Sequence, residues 1–235
     1  MATVYWSKFN LIKSLNTSIF DLKPYPVLPN YIGNCGKPKD HSVNFFACPA
    51  CKSYTDNLFY IKNPLDFNIR INSNNTVDSR SPASSLITSI RDFNDSSLIL
   101  DYFMSISFFS EKEISVSVMP PFFYNPPADG AHLIPGEFNI GSWFRPLNAT
   151  YFIKNKDVDF VLKKDDPLFF IKFNTKDKID FKEFYFTDSL TGIVDSTVGL
   201  KKFKRNVPIL DLYHSFKEEK LNKIVLKEIR KSLID

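Results

Sequence analysis

Over most of this chain apolar and polar residues alternate in short stretches, a period of two that predicts half-buried β-strands. Phe67, Ile69 and Ile71 share one face of residues 66–71, and Ile114, Val116 and Val118 share one face of residues 113–119. Residues 98–109 and 113–119 read as consecutive strands, and the polar SEKE between them has hairpin length. Further strands are predicted at 3–9, 43–48, 58–61, 150–153, 159–162 and 179–186. Residues 168–173 form a near-continuous aromatic run, as expected of a central strand covered on both faces. Three prolines within residues 23–29 force extended backbone and predict a strap laid over a surface. Residues 72–85, poor in large apolar side chains, and 122–130, rich in turn formers, read as loops.

The period changes near the end. Leu221, Ile224, Val225, Ile229 and Leu233 fall on one helical stripe, and Ser215-x-x-Glu218 has capping-box spacing, so a helix is expected from there nearly to the terminus. Lys220, Lys223, Lys227, Arg230 and Lys231 sit away from that stripe, as a solvated basic face or as a surface for an anionic partner. The expected organisation is a β-rich domain, residues 1–207, carrying the proline strap, with a C-terminal helix, residues 208–235, packed on it. Residues 189–207 read as the linker. The fold class is mainly β: a sandwich or distorted barrel, of jelly-roll or cupin-like type, with about eight to ten strands.

Composition sharpens this picture. Of 235 residues, 24 are Phe and only 7 are Gly, which favours aromatic-packed strands over glycine-loop nucleotide folds. The 30 basic and 26 acidic residues leave a net charge of +4. That balance argues against nucleic acid as the partner, although Lys201, Lys202, Phe203, Lys204 and Arg205 interleave charge and ring as a single-strand binder would. No apolar stretch near the start reads as a secretory signal, and none approaches the length of a membrane span, so a soluble intracellular protein is expected. With three cysteines a disulfide framework is not expected, and the sequons at Asn16, Asn74, Asn94 and Asn148 read as accidental.

The most specific stretch is residues 134–146, IPGEFNIGSWFRP, followed 20 residues on by DPLFFIKF at 166–173. Pro135-Gly136 is a turn dipeptide, Phe138 and Ile140 alternate like a strand, and Trp143-Phe144 offers a large area for burial before Arg145-Pro146 is expected to stop the strand. This pairing resembles a protein family of large tailed marine phages related to cyanophages, in which a PGxFxIxxWFRP segment precedes a DPLFFxxF segment and a basic C-terminal helix. The likeness extends more weakly to the proline strap and to Cys48-Pro49, and a distant likeness joins a β-rich bacterial group. The resemblance implies a viral origin, residence in the host cytoplasm or in the virion, and no particular activity.

Candidate chemistry is sparse. Arg145, one of six arginines, stands beside Trp143, where it either pins a carboxylate such as Glu137 or Asp166 or binds an anionic ligand. Together with His132, Glu137 and Asn139 these residues form the candidate ligand-binding set, in a surface spanning residues 122–146. Cys35, His41, Cys48 and Cys51 lie within 17 residues, and Cys48-x-x-Cys51 has the spacing of two zinc ligands; incidental thiols and redox chemistry are the alternatives. An iron site of cupin type would use His132 and Glu137, but the remaining histidines, His41 and His214, supply the second imidazole poorly. Asp165 and Asp166 read as solvated turn residues. No nucleophile elbow, Walker loop or HExxH helix is present. The function expected is therefore a non-enzymatic binding or structural interaction module for a protein or small-molecule ligand, with a cupin-like metal-dependent enzyme as the alternative.

Overall fold

The computed structural model of the chain describes residues 1–8, 20–27, 48–74, 76–79, 86–122, 124–203 and 208–234. In chain order the strands are β1 (Ala2–Lys8), β2 (Tyr25–Pro26), β3 (Leu58–Lys62), β4 (Phe67–Ile71), β5 (Val77–Ser79), β6 (Ile87–Asp92) and β7 (Leu98–Phe109). They continue as β8 (Ser115–Met119), β9 (Ala131–Leu133), β10 (Gly136–Asn139), β11 (Pro146–Ile153), β12 (Val158–Leu162), β13 (Pro167–Phe173) and β14 (Ile179–Glu183). The helices are α1 (Pro49–Thr55), α2 (Asp188–Phe203), α3 (Ile209–Glu218) and α4 (Leu221–Lys231).

The strands form three sheets. The first runs β14-β1-β7-β11-β9 with β6 also on β7; the second runs β10-β8-β13-β3-β2; the third is β12-β4-β5. Pairing is antiparallel except between β1 and β14. The fold is mainly β, as the alternating pattern predicts, but the sheets do not close into a barrel. None of the described helices is long and apolar enough to cross a membrane.

Strand periodicity distributes the phenylalanines. Val4 and Trp6 of β1, Leu100, Tyr102 and Phe108 of β7, and Phe169, Ile171 and Phe173 of β13 meet in one core shared by all three sheets. Phe173 sits edge-on to Phe59, Phe108 and Phe181 at ring separations of 5.8, 5.7 and 5.5 Å. Such edge contacts each add roughly 0.5–1.5 kcal/mol beyond burial, a reason for so many benzyl groups in one interior. Tyr5, Phe103 and Phe109 point to the opposite face of the first sheet, where they pack with Phe144, Phe184 and the helices. Phe170 points away from its neighbours in β13 and meets Val27, Leu58 and Tyr60. The strand is thus covered on both sides, as expected. The described part of the strap contributes β2, whose Tyr25 stacks on Tyr60 at 5.5 Å.

Several local expectations are corrected. The SEKE segment is not a hairpin: both long edges of β7 are taken, by β1 and β6 on one side and β11 on the other, so the chain crosses to the second sheet and β8 pairs with β10 and β13. Pro146 does not end a strand but opens β11, a first position at which its missing N–H disrupts little of the ladder. The linker expected at 189–207 is largely helix α2. The single C-terminal helix is two, because Lys220 adopts a left-handed conformation (φ 56°) between α3 and α4. Ser215 lies inside α3 and returns its hydroxyl proton to the Asp211 carbonyl at 2.9 Å instead of capping. Val225 and Ile229 are buried as predicted, whereas Ile224 is exposed. Of the strand expected at 43–48, residues 43–47 lie outside the described residues, and Cys48 caps α1.

Candidate functional site

A pocket of about 520 Å³ opens where β9, residues 120–121 and 124–127 and the turn from β12 to β13 converge. Its construction starts from proline. Pro120, Pro121, Pro126, Pro127 and Pro167 all line it, so much of its wall has φ fixed before any ligand arrives. Ala131, Leu133, Tyr151 and Leu168 supply the apolar surface, with Val161 exposed at the mouth. Burial holds the Tyr151 phenol well above the ordinary tyrosine range, so it stays neutral.

The polar groups come from one turn and what holds it. Asn63 is 1% exposed. Its side-chain amide donates to the carbonyls of Leu65 and Lys163, and its side-chain carbonyl accepts from the buried Tyr102 hydroxyl at 3.2 Å. The Asn63 backbone N–H donates to the Asp166 carbonyl at 2.8 Å, and the Asn63 backbone carbonyl accepts from the Asp165 N–H at 2.9 Å. One buried asparagine therefore fixes residues 163–166 and so places Lys163 and Asp166 in the pocket. Among the described residues the Asp166 carboxylate accepts no hydrogen bond. Burial pushes it above the usual aspartate range, with Lys163 pulling down and Asp165 and Asp66 pushing up. A half-buried carboxylate of this kind lacks only a donor.

The structure separates the residues expected to share a site. His132 is exposed on β9 and lines the pocket. Glu137, on β10 in another sheet, accepts from Ser115 and Ser117 on the neighbouring strand. Asn139 accepts the Gly141 N–H at 2.8 Å and shapes its own turn. Trp143 is only 5% exposed and lies beneath α3, 4.5 Å from the Tyr213 ring and 5.7 Å from that of Phe216. Its buried indole N–H has no hydrogen-bond partner among the described residues. Arg145 is half-buried and forms no ion pair with Glu137, Asp166 or any other described carboxylate. The tryptophan is thus a core residue that holds the helices onto the first sheet.

Among the described residues no three His, Cys, Asp or Glu side chains are grouped to hold a metal. Cys48 and Cys51 are free thiols at the start of α1, while Cys35 and His41 lie outside the described residues. His214 is exposed on α3, and β9 and β10 place His132 and Glu137 in different sheets.

Asn63 and Lys163 were not among the residues singled out from composition and motif, and Asp166 reads from the sequence only as a solvated turn residue or a partner for Arg145. The signal available for them is the repeated Pro-Pro dipeptide at 120–121 and 126–127, which marks a stiff loop, and the Asp166-Pro167 step of the aromatic motif. Comparison of the chain with protein-family models, with curated proteins and with solved structures finds no match to any of them.

Proposed function

We propose that this chain is a phage-encoded, non-enzymatic binding module that takes a compact ligand bearing a cationic or hydrogen-bond-donating group into the proline-walled pocket. The observation that carries the reading is a cavity of about 520 Å³ with apolar walls and, among its lining residues, an aspartate whose carboxylate no donor of the described residues satisfies. Ligand sites fall in the same range, roughly 300–1,000 Å³, and combine apolar walls with a few polar groups. Walls of proline lose little freedom on binding, which favours affinity in a small site. His132, Lys163 and Asn125 supply further polar contacts at the same opening. The finer architecture that accompanies this reading is a sandwich, supported by the core that the first sheet shares with the other two. Viral origin, and residence in the host cytoplasm or the virion, rest on the resemblance carried by residues 134–146 and 166–173.

The test is ligand-observed NMR on the full chain with small primary amines and neutral isosteres of matched shape. Amines are expected to bind at least about tenfold more tightly, which corresponds to about 1.4 kcal/mol. Asp166→Asn should erase the difference. Val161→Trp should block both sets, since Val161 is exposed at the mouth and its replacement spares the core. Equal binding of amines and isosteres would refute the donor preference, and catalytic turnover of a bound compound would refute the non-enzymatic reading.

A further inference from the structure

We propose that Cys48 and Cys51 form an exchangeable dithiol–disulfide couple. Cys48 is the N-cap of α1, and the Lys52 N–H donates to its carbonyl at 2.9 Å, closing the first helical turn across both cysteines. A helix with a rise of about 1.5 Å per residue and a radius of about 2.3 Å brings Cα atoms three positions apart to about 5 Å. A disulfide tolerates Cα separations of about 4.4–6.8 Å. The Cα separation therefore permits closure, with Cys48 in extended backbone (φ -60°, ψ 125°) at the helix start and Cys51 in the first turn.

The surroundings favour exchange over inert burial. Both thiols are free; Cys48 is exposed and Cys51 half-buried. The outer sulfur meets an incoming reagent and the inner one resolves the product. The turn that carries them is anchored from its other end. Thr55 is buried and donates to the Cys51 carbonyl at 2.9 Å, the Tyr54 ring packs 6.4 Å from that of Phe122, and the Tyr54 hydroxyl donates to the Met119 sulfur at 3.1 Å. Lys172 adds a cation over the Tyr54 ring at 4.6 Å.

The oxidant is a low-molecular-weight disulfide such as oxidised glutathione. Cys48, as thiolate, attacks one of its sulfurs, forms a mixed disulfide and expels one glutathione thiolate. Cys51, as thiolate, then attacks the Cys48 sulfur, closes the intramolecular bond and expels the second. Two protein thiols give up two electrons and two protons, the reagent takes up the same, and no other reactant is involved.

The full chain is equilibrated across a series of glutathione redox buffers, quenched by alkylation and mapped by peptide mass spectrometry. The peptide containing residues 48–51 is expected to lose two hydrogens under oxidising conditions and to recover them under reducing ones. Cys35→Ser should retain this behaviour, and Cys48→Ser should abolish it. Cys51→Ser should accumulate glutathione on Cys48 at least about tenfold above the parent, because the resolving thiol is gone. Mapping the parent protein requires no variant to fold. A bond from Cys35 to Cys48 or Cys51, thiols that stay reduced across the whole series, or an equivalent of zinc that must be removed before oxidation proceeds would each overturn the proposal.

Discussion

Replacing Asn63 by Ala tests whether one buried amide organises the pocket. The substitution leaves the Leu65 and Lys163 carbonyls and the Tyr102 hydroxyl without their partner. The two carbonyls lie near the surface and can recruit water, so each lost bond is worth about 0.5–1 kcal/mol; the hydroxyl is fully enclosed, and leaving it unpaired costs about 1–2 kcal/mol. The sum is a destabilisation of about 2–4 kcal/mol. Tyr102→Phe removes only the shared bond and should cost about 1 kcal/mol. The double variant should cost less than the two single changes added, by about 1 kcal/mol, since both remove the same contact. Urea unfolding followed by tryptophan fluorescence, at one pH and with the slope compared among variants, measures all three. Strict additivity, or an Asn63→Ala change within 0.5 kcal/mol of the parent (about the resolution of such cycles), would refute the idea that this residue holds the turn of residues 163–166.

Three further outcomes are expected. A Cβ added at Gly141 would stand 2.5 Å from the Lys112 carbonyl oxygen and 3.0 Å from the Glu113 Cα, both main-chain atoms; Gly141→Ala should therefore lower stability by about 2–4 kcal/mol, and a melting temperature equal to the parent's would contradict the close approach. Trp143→Phe loses packing but removes an unpartnered buried N–H, two effects of about 1–3 kcal/mol and opposite sign, so denaturant unfolding should place it within about 1 kcal/mol of the parent while Phe144→Ala loses about 3–5 kcal/mol. Because the Asp166 carboxyl is raised in the folded state, the native protein holds a proton that the unfolded chain releases first, so stability from this group is present at low pH and lost as pH rises through its folded value. Asp166→Asn should then match the parent in acid and exceed it increasingly toward neutral pH; a stability difference that stays flat with pH would contradict the assignment.

Much of the fold is local in origin and was legible as such. The alternation of Phe67, Ile69 and Ile71, the aromatic run around Phe169 and Phe170, and the stripe through Val225 and Ile229 each report which side of an element faces apolar neighbours. Such patterns depend on residues two to four positions apart and survive without knowledge of the partner strand. The segment 134–146 likewise signalled burial by its Trp143-Phe144 pair, but the tryptophan expected in the ligand-binding set is itself covered. Tyr213 and Phe216, about 70 residues later in the chain, cover the indole, and nothing within the motif encodes their arrival.

Strand placement, helix stripe and the stiffness of the proline loops thus follow from the order of residues, because backbone sterics and side-chain period act over a few positions. Sheet membership and the pocket were decided elsewhere. Residues 110–114 look like a turn until β1, β6 and β11 fill both edges of β7, and Asp166 looks like a surface carboxylate until Asn63, about 100 residues earlier, draws its turn against the apolar wall. Hydrogen-bond capacity and burial are shared among distant segments, so which group ends up satisfied and which is left facing a cavity is settled only when the whole chain has packed.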